Sequence, residues 1–201
     1  EYMLKEGIPY RIFGGLSFYQ RKEIKDTLAY FRVVANPDDE EALKRIINYP
    51  TRGIGDTTLN KIINAATSNN VSLWSVLSQP SAFNVDLNKG TLAKLDSFRQ
   101  LVGSWIERLS TDDAYTLGHA IVTESGISKD IYSGRGPEGL SRQQNLEEFL
   151  GGMQDFVETR KEEGLDEHIS MSDYLQEVSL LTDLDDGDKD SETKVSLMTV
   201  H

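Results

Sequence analysis

Apolar residues recur at helical spacing through most of the chain. Ile24, Leu28, Phe31 and Ala35 follow one another at four, three and four residues, which predicts a helix over 22–36 ending at Asn36-Pro37. Asp38, with Glu41 three residues on, reads as the capping box of a second helix burying Leu43, Ile46 and Ile47 and stopped by Asn48-Tyr49-Pro50. A third helix starts near Gly55-Asp56 and carries Leu59, Ile62, Ile63 and Ala66, and Ser72 caps a short fourth one with Trp74 and Leu77. Residues 91–109 hold the longest amphipathic stripe (Leu92, Leu95, Phe98, Leu101, Val102, Trp105, Ile106, Leu109) and are expected to be the spine of a helical bundle. Leu117 and Ile121 mark a helix over 114–124 with Gly126 as its stop, and residues 127–132 read as helix or turn. Ser141 opens a long helix to Glu163 on Leu146, Phe149, Leu150, Met153, Phe156 and Val157. Inside it Gly151-Gly152 costs about 1 kcal/mol per residue relative to Ala, which predicts close packing or a bend. Ser172 caps a last helix carrying Leu175, Val178 and Leu181.

The ends read differently. Residues 8–13 have the β-branched and aromatic content of a short strand closed by Gly14-Gly15, and residues 194–200 alternate polar and apolar positions. Residues 133–139 are a mobile loop by composition, and residues 182–192 are too acidic to pack and read as a solvated linker. The expected fold is therefore mainly α, a helical bundle between two short terminal strands of another, incomplete domain. With no initial Met and an apolar run at His201, the chain reads as an excised piece of a longer polypeptide.

Composition narrows the classes. The 201 residues include no Cys, which excludes a disulfide framework and a thiolate zinc site. No apolar run approaches the roughly 20 residues a membrane span needs, and no signal peptide is visible, so a soluble cytoplasmic protein is expected. The net charge of −12 argues against a generally basic nucleic-acid binder. It is unevenly spread: residues 1–64 hold ten Lys/Arg against nine Asp/Glu, and residues 165–201 hold two against ten, so a polyanion is to be sought in the first third. There is no G-x-x-x-x-G-K-[ST] phosphate loop, and His119, His168 and His201 show no metal-ligand spacing. Asp38-Asp39 and Asp112-Asp113 sit at helix starts, where the helix dipole accounts for them.

The informative segment is Pro50-Thr51-Arg52-Gly53-Ile54-Gly55-Asp56-Thr57-Thr58. Two glycines flanking one apolar anchor, directly before a helix, let backbone N–H groups face outward together. The helix start, the Thr57 and Thr58 hydroxyls and the Arg52 charge would then suit a phosphate, without reading any base. From spacing alone the plainer reading, a tight interhelical turn capped by Asp56, is favoured, because Asp56 partly repels a phosphate.

Residues 8–32, from Ile8-Pro9-Tyr10-Arg11-Ile12-Phe13-Gly14-Gly15 through Ser17-Phe18-Tyr19-Gln20-Arg21-Lys22-Glu23-Ile24-Lys25-Asp26, with Asn36-Pro37-Asp38-Asp39, Arg45-Ile46-Ile47-Asn48 and Thr51-Arg52-Gly53-Ile54-Gly55, resemble the UvrD/PcrA/Rep family of superfamily 1 DNA helicases. Val195-Ser196-Leu197-Met198-Thr199-Val200-His201 resembles the opening of a later motif of that family. Residues 65–190 match only as an acidic helical insertion of the right length. The resemblance implies a division into a partial RecA-like 2A segment (1–30), a helical 2B accessory subdomain (31–190) and a return strand of 2A (191–201). It implies a parent enzyme that uses ATP and Mg to unwind DNA from 3′ to 5′, while this chain, without a phosphate loop, holds no cofactor and has no activity alone. It implies a duplex backbone contact at Gly53, Ile54 and Gly55, with Arg52, Thr57 and Thr58 beside it, and a single-strand contact at Thr199 and His201. The implied partners are duplex and single-stranded DNA, the motor domains of the same polypeptide and repair proteins, with no membrane. Hinges for a swivelling subdomain are expected at Asn36-Pro37 and around Gly187, and residues 21–26, with a Lys22–Asp26 pair, are expected to be 2A scaffold. The alternative is a protein-interaction or autoinhibitory module whose acidic faces meet a basic partner.

Overall fold

The computed structural model describes residues 10–12, 18–164, 168–186 and 195–197, with backbone alone for 10–12, 182–186 and 195–197. Among the described residues the chain is mainly helical. In order, α1 is Lys22–Ala35, α2 Glu40–Ile46, α3 Asp56–Asn69, α4 Leu73–Ser78, α5 Lys89–Glu107, α6 Ala114–Glu124, α7 Ile127–Tyr132, α8 Gly136–Glu162 and α9 Met171–Asp186, with a 3-10 turn at Pro80–Phe83 between α4 and α5. Of the two expected terminal strands, the described residues hold only the three-residue backbone segments Tyr10–Ile12 and Val195–Leu197, aligned in parallel.

The spine of the bundle is α1, not the stripe of residues 91–109. Helix α1 packs against α2, α5, α6, α8 and α9, and Ile24, Tyr30, Phe31 and Val33 on it are wholly buried. Its buried surface runs most of the way round because Glu23, Asp26 and Thr27 are buried too, each with a partner. Glu23 Oε1 accepts from Asn145 Nδ2 at 2.6 Å, and Thr27 donates to the Glu23 carbonyl. Asp26 takes the expected Lys22 ammonium and also Arg45 Nε, both at 2.6 Å. Helix α5 buries one side only, through Leu95, Phe98, Val102 and Trp105. Aromatic contacts fasten these layers: Tyr30 meets Trp105 edge-on at 6.0 Å, Phe31 stacks on Phe149 at 5.9 Å, and Tyr174 closes on Phe31, Phe149 and Phe156. Gly118 lets α6 reach this layer, since a Cβ there would meet Met153 Sδ at 2.7 Å and Phe31 Cζ at 3.1 Å.

Several helix ends differ from expectation for identifiable reasons. The cap of α2 is Asp39, whose side chain accepts from Ala42 N at 3.1 Å and also pairs with Arg32 Nε at 2.7 Å, a second bond that Asp38 does not make. The same contacts, with Asn36 N bonded to Arg32 O and Asp39 N to Asn36 O, give the Asn36-Pro37 corner, expected as a hinge, hydrogen bonds on both of its sides. Helix α9 starts at a reciprocal Ser170–Asp173 box, two residues before Ser172. Residues 136–139, expected as loop, form the first turn of α8, with Pro137 at the position where a missing N–H costs nothing. The expected linker is helical as far as Asp186, while Gly187 and residues 188–192 lie outside the described residues.

Gly151 and Gly152 correct a further expectation. A Cβ at either would meet nothing within 4 Å, and α8 runs through them unbroken, so no packing of the described residues requires glycine there. Gly151→Ala and Gly152→Ala are each expected to stabilise the chain by about 1 kcal/mol through lower unfolded-state entropy. Urea unfolding should show a higher midpoint at unchanged slope, and a lower midpoint would contradict the assignment.

Candidate nucleic-acid interface

The Gly53-Ile54-Gly55 turn is shaped by a side chain that precedes it. Past α2, Asn48 Oδ1 accepts two backbone N–H groups, from Arg52 at 3.0 Å and from Ile54 at 3.1 Å. Between those residues Gly53 takes φ +70°, a left-handed conformation that glycine adopts without penalty. Ile54 is 1% exposed and anchors the turn in the core. Gly55 is the N-cap of the 14-residue α3, and its carbonyl accepts from Thr58 N at 3.0 Å and Leu59 N at 3.1 Å.

This accounting leaves the amides of Gly53, Gly55, Asp56 and Thr57 without an acceptor among the described residues, and all four residues are exposed. They stand at the positive end of α3, where unpaired N–H groups and the helix dipole together suit an anion. Thr57 is exposed and Thr58 half-buried, with neither hydroxyl engaged among the described residues. Asp56, exposed in the first turn, opposes an anion, as expected. Thr199 and His201 lie outside the described residues.

Arg52 requires a correction. Its guanidinium does not stand at the surface beside the amides. Nη1 donates to Ile46 O at 3.2 Å and Pro50 O at 3.1 Å, and Nη2 to Ser125 O at 3.0 Å. Its Cζ lies 5.3 Å from the Phe98 ring centroid and 5.7 Å from that of Tyr30. A half-buried guanidinium whose donors are taken by three carbonyls clamps the turn onto α2 and the α6–α7 corner. The exposed cation at the turn is instead Lys94 of α5, with Nζ 3.2 Å from Gly53 O. Sequence reasoning missed it, because nothing local signals a lysine 41 residues away. A groove of about 400 Å³ lined by Arg52, Ala93, Lys94, Ser97, Phe98 and Leu101 opens alongside.

Burial pushes the Tyr30 phenol up to about 12 against the opposing charge of Arg52, and burial with the Asp130 bond raises Tyr49 further, so both stay neutral. Asp113 caps α6 and is held below the usual carboxylate range: burial works against this, but Lys161 at 2.6 Å and Thr116 N at 2.9 Å outweigh it. Among the described residues no three His, Asp or Glu side chains are placed to hold a metal ion.

Fold and turn together define a helical module in which the start of α3 leaves backbone amides of exposed residues without an acceptor among the described residues. The family model described as the UvrD-like helicase C-terminal domain matches residues 1–201, and the chain belongs to that family, as a sequence of the UvrD/PcrA-type superfamily 1 helicases. It is 34% identical over 201 residues to proteins named ATP-dependent DNA helicase PcrA from Staphylococcus aureus and Staphylococcus epidermidis, covering 100% of this chain and 26% of each relative. The chain thus spans about a quarter of the length of these relatives.

Proposed function

We propose that the chain is the 2B-like accessory subdomain of an ATP-dependent 3′–5′ DNA helicase and that it holds duplex DNA by the backbone at Gly53-Ile54-Gly55, with no base read. The observation that carries this reading is the set of four exposed, unpaired amides at the start of α3. A strand phosphate would accept from these amides and from the Thr57 hydroxyl, with Lys94 close enough to add its charge. Arg52 serves the contact by holding the turn in place. A single short contact of this kind suits the acidic chain: it needs few cations, and salt should weaken binding with a slope of about −0.9 for each phosphate engaged.

The further parts of the reading are proposals of the same standing. The ends, with Tyr10–Ile12 and Val195–Leu197 aligned in parallel, are read as strands of the RecA-like 2A domain. A division at residue 30 falls inside α1, whose halves are buried in one body, so the helix itself would form the junction. Thr199 and His201 are assigned to the single strand, ATP hydrolysis to the rest of the parent enzyme, and no activity to this chain alone. No helix among the described residues is long and apolar enough to cross a membrane.

Gly55→Asp tests the contact cleanly. A Cβ at Gly55 would meet nothing within 4 Å, its φ of −84° suits any residue, and Asp is a preferred N-cap, so the fold should be kept. The new carboxylate would take the amides for itself and repel a phosphate. Duplex affinity, read by fluorescence anisotropy at low salt, should fall at least tenfold with the melting temperature unchanged or raised. Equal binding by both proteins would place the DNA elsewhere.

A further inference from the structure

The amides of Asp56 and Thr57 are unpaired as in the first turn of any helix, whereas that of Gly53 lies between two neighbours that are tied down. Arg52 N and Ile54 N, the amides on either side of Gly53, both point at Asn48 Oδ1, at 3.0 and 3.1 Å. One oxygen taking two N–H groups two residues apart forces the peptide between them to face the other way. That leaves Gly53 and Gly55 with their N–H groups outside while Ile54 is drawn into the core. Only an acceptor with no charge serves fully: an Asn amide oxygen takes both bonds, whereas a carboxylate would take them and add a negative charge beneath the anion. Two donors on this one atom also identify it as the oxygen rather than the nitrogen of the amide.

We propose that Asn48 is the positioning residue of the duplex contact: it touches no DNA and sets the geometry in which Gly53, Gly55, Asp56 and Thr57 present their amides to one phosphate. The proposal rests on the backbone-contact reading above. Asn48 is half-buried and lies outside the apolar core, so its truncation should cost order in the turn rather than the fold. Without it the turn samples many conformations, and each phosphate contact must order the chain as it forms.

The test measures duplex binding by the 201-residue chain together with amide hydrogen exchange at Arg52 and Ile54, for wild type, Asn48→Ala, Asn48→Asp and Gly55→Asp. Asn48→Ala should bind at least fivefold more weakly, with fast exchange at both amides and unchanged helix content. Asn48→Asp keeps the acceptor and should keep the exchange protection while its charge weakens binding, a rescue of geometry without rescue of affinity. Binding by Asn48→Ala within twofold of wild type, with Gly55→Asp still defective, overturns the role of Asn48 and leaves the DNA contact standing. Wild-type binding by Gly55→Asp removes the contact reading itself. Should the alanine variant not fold, Asn48→Asp decides the matter, since fast exchange at Arg52 and Ile54 there contradicts the pinning.

Discussion

Arg52→Met is expected to lower the stability of the chain by about 3 kcal/mol, although Arg52 sits beside a proposed phosphate contact and its side chain is half-buried. Its guanidinium donates to the carbonyls of Ile46, Pro50 and Ser125. Hydrogen bonds to a charged group contribute about 1.5–3 kcal/mol each and do not add in full, and partial solvation of the group reduces the sum. The flat cation also fills the space against Tyr30 and Phe98, which Met replaces only in part. For a chain of this size the melting temperature should fall by about 6–12 °C. Arg52→Lys should recover little, because one ammonium on a shorter, flexible stem cannot reach the three carbonyls that the planar guanidinium spans. A melting temperature within about 2 °C of wild type, with duplex affinity lost, would instead mean that the guanidinium works at the surface.

The contrast between Arg52 and Gly55 shows which parts of the site were legible in the residues. The turn itself was, because Gly53, Ile54 and Gly55 carry their conformational demands locally: a left-handed residue, a buried anchor and a helix start. The role of Arg52 was not, since a positive charge next to an anion site reads as a ligand until Ser125, 73 residues away, is known to be its partner. Lys94 was invisible for the same reason. Helix assignment followed this rule as well. Helix α4 begins where Ser72 predicts and α6 at Ala114, where its apolar spacing places it, because the Ser72 and Asp113 caps bond within three residues. The caps of α2 and α9 shifted because acceptors competed within one or two positions, and a tertiary bond to Arg32 decided the first of these.

The misread spine has a deeper cause. Periodicity arguments treat a polar residue as solvent-facing, so Glu23, Asp26 and Thr27 made α1 look less buried than it is. Their partners, Asn145 on α8 and Arg45 on α2, are 122 and 19 residues away. Arg21 and Arg142 add to the same network, through Asn145 Oδ1 and through Glu23 Oε2 at 3.9 Å. The segment expected to be scaffold of a separate domain is thus bonded into the helical body by its charged side chains.

Removing both cations from Asp26 should expose what this network costs. The Asp26 side chain is 4% exposed, while Lys22 and Arg45 reach it from positions 62% and 39% exposed. Either partner alone still offers the carboxylate one close charge, so Lys22→Met or Arg45→Met should cost only about 1 kcal/mol, as for pairs with one solvated member. The double variant leaves a carboxylate inside the bundle with no cation, and breaking a buried pair in this way costs about 3–5 kcal/mol. The loss should therefore exceed the sum of the single losses by about 1 kcal/mol or more, a coupling that urea unfolding of the four proteins measures directly. Adding Asp26→Leu to the double variant should restore most of the stability, because an apolar side chain of similar size needs no partner in that position. Additive single losses, or no recovery on adding leucine, would mean that water reaches Asp26 and that α1 is fastened by its aromatic face alone.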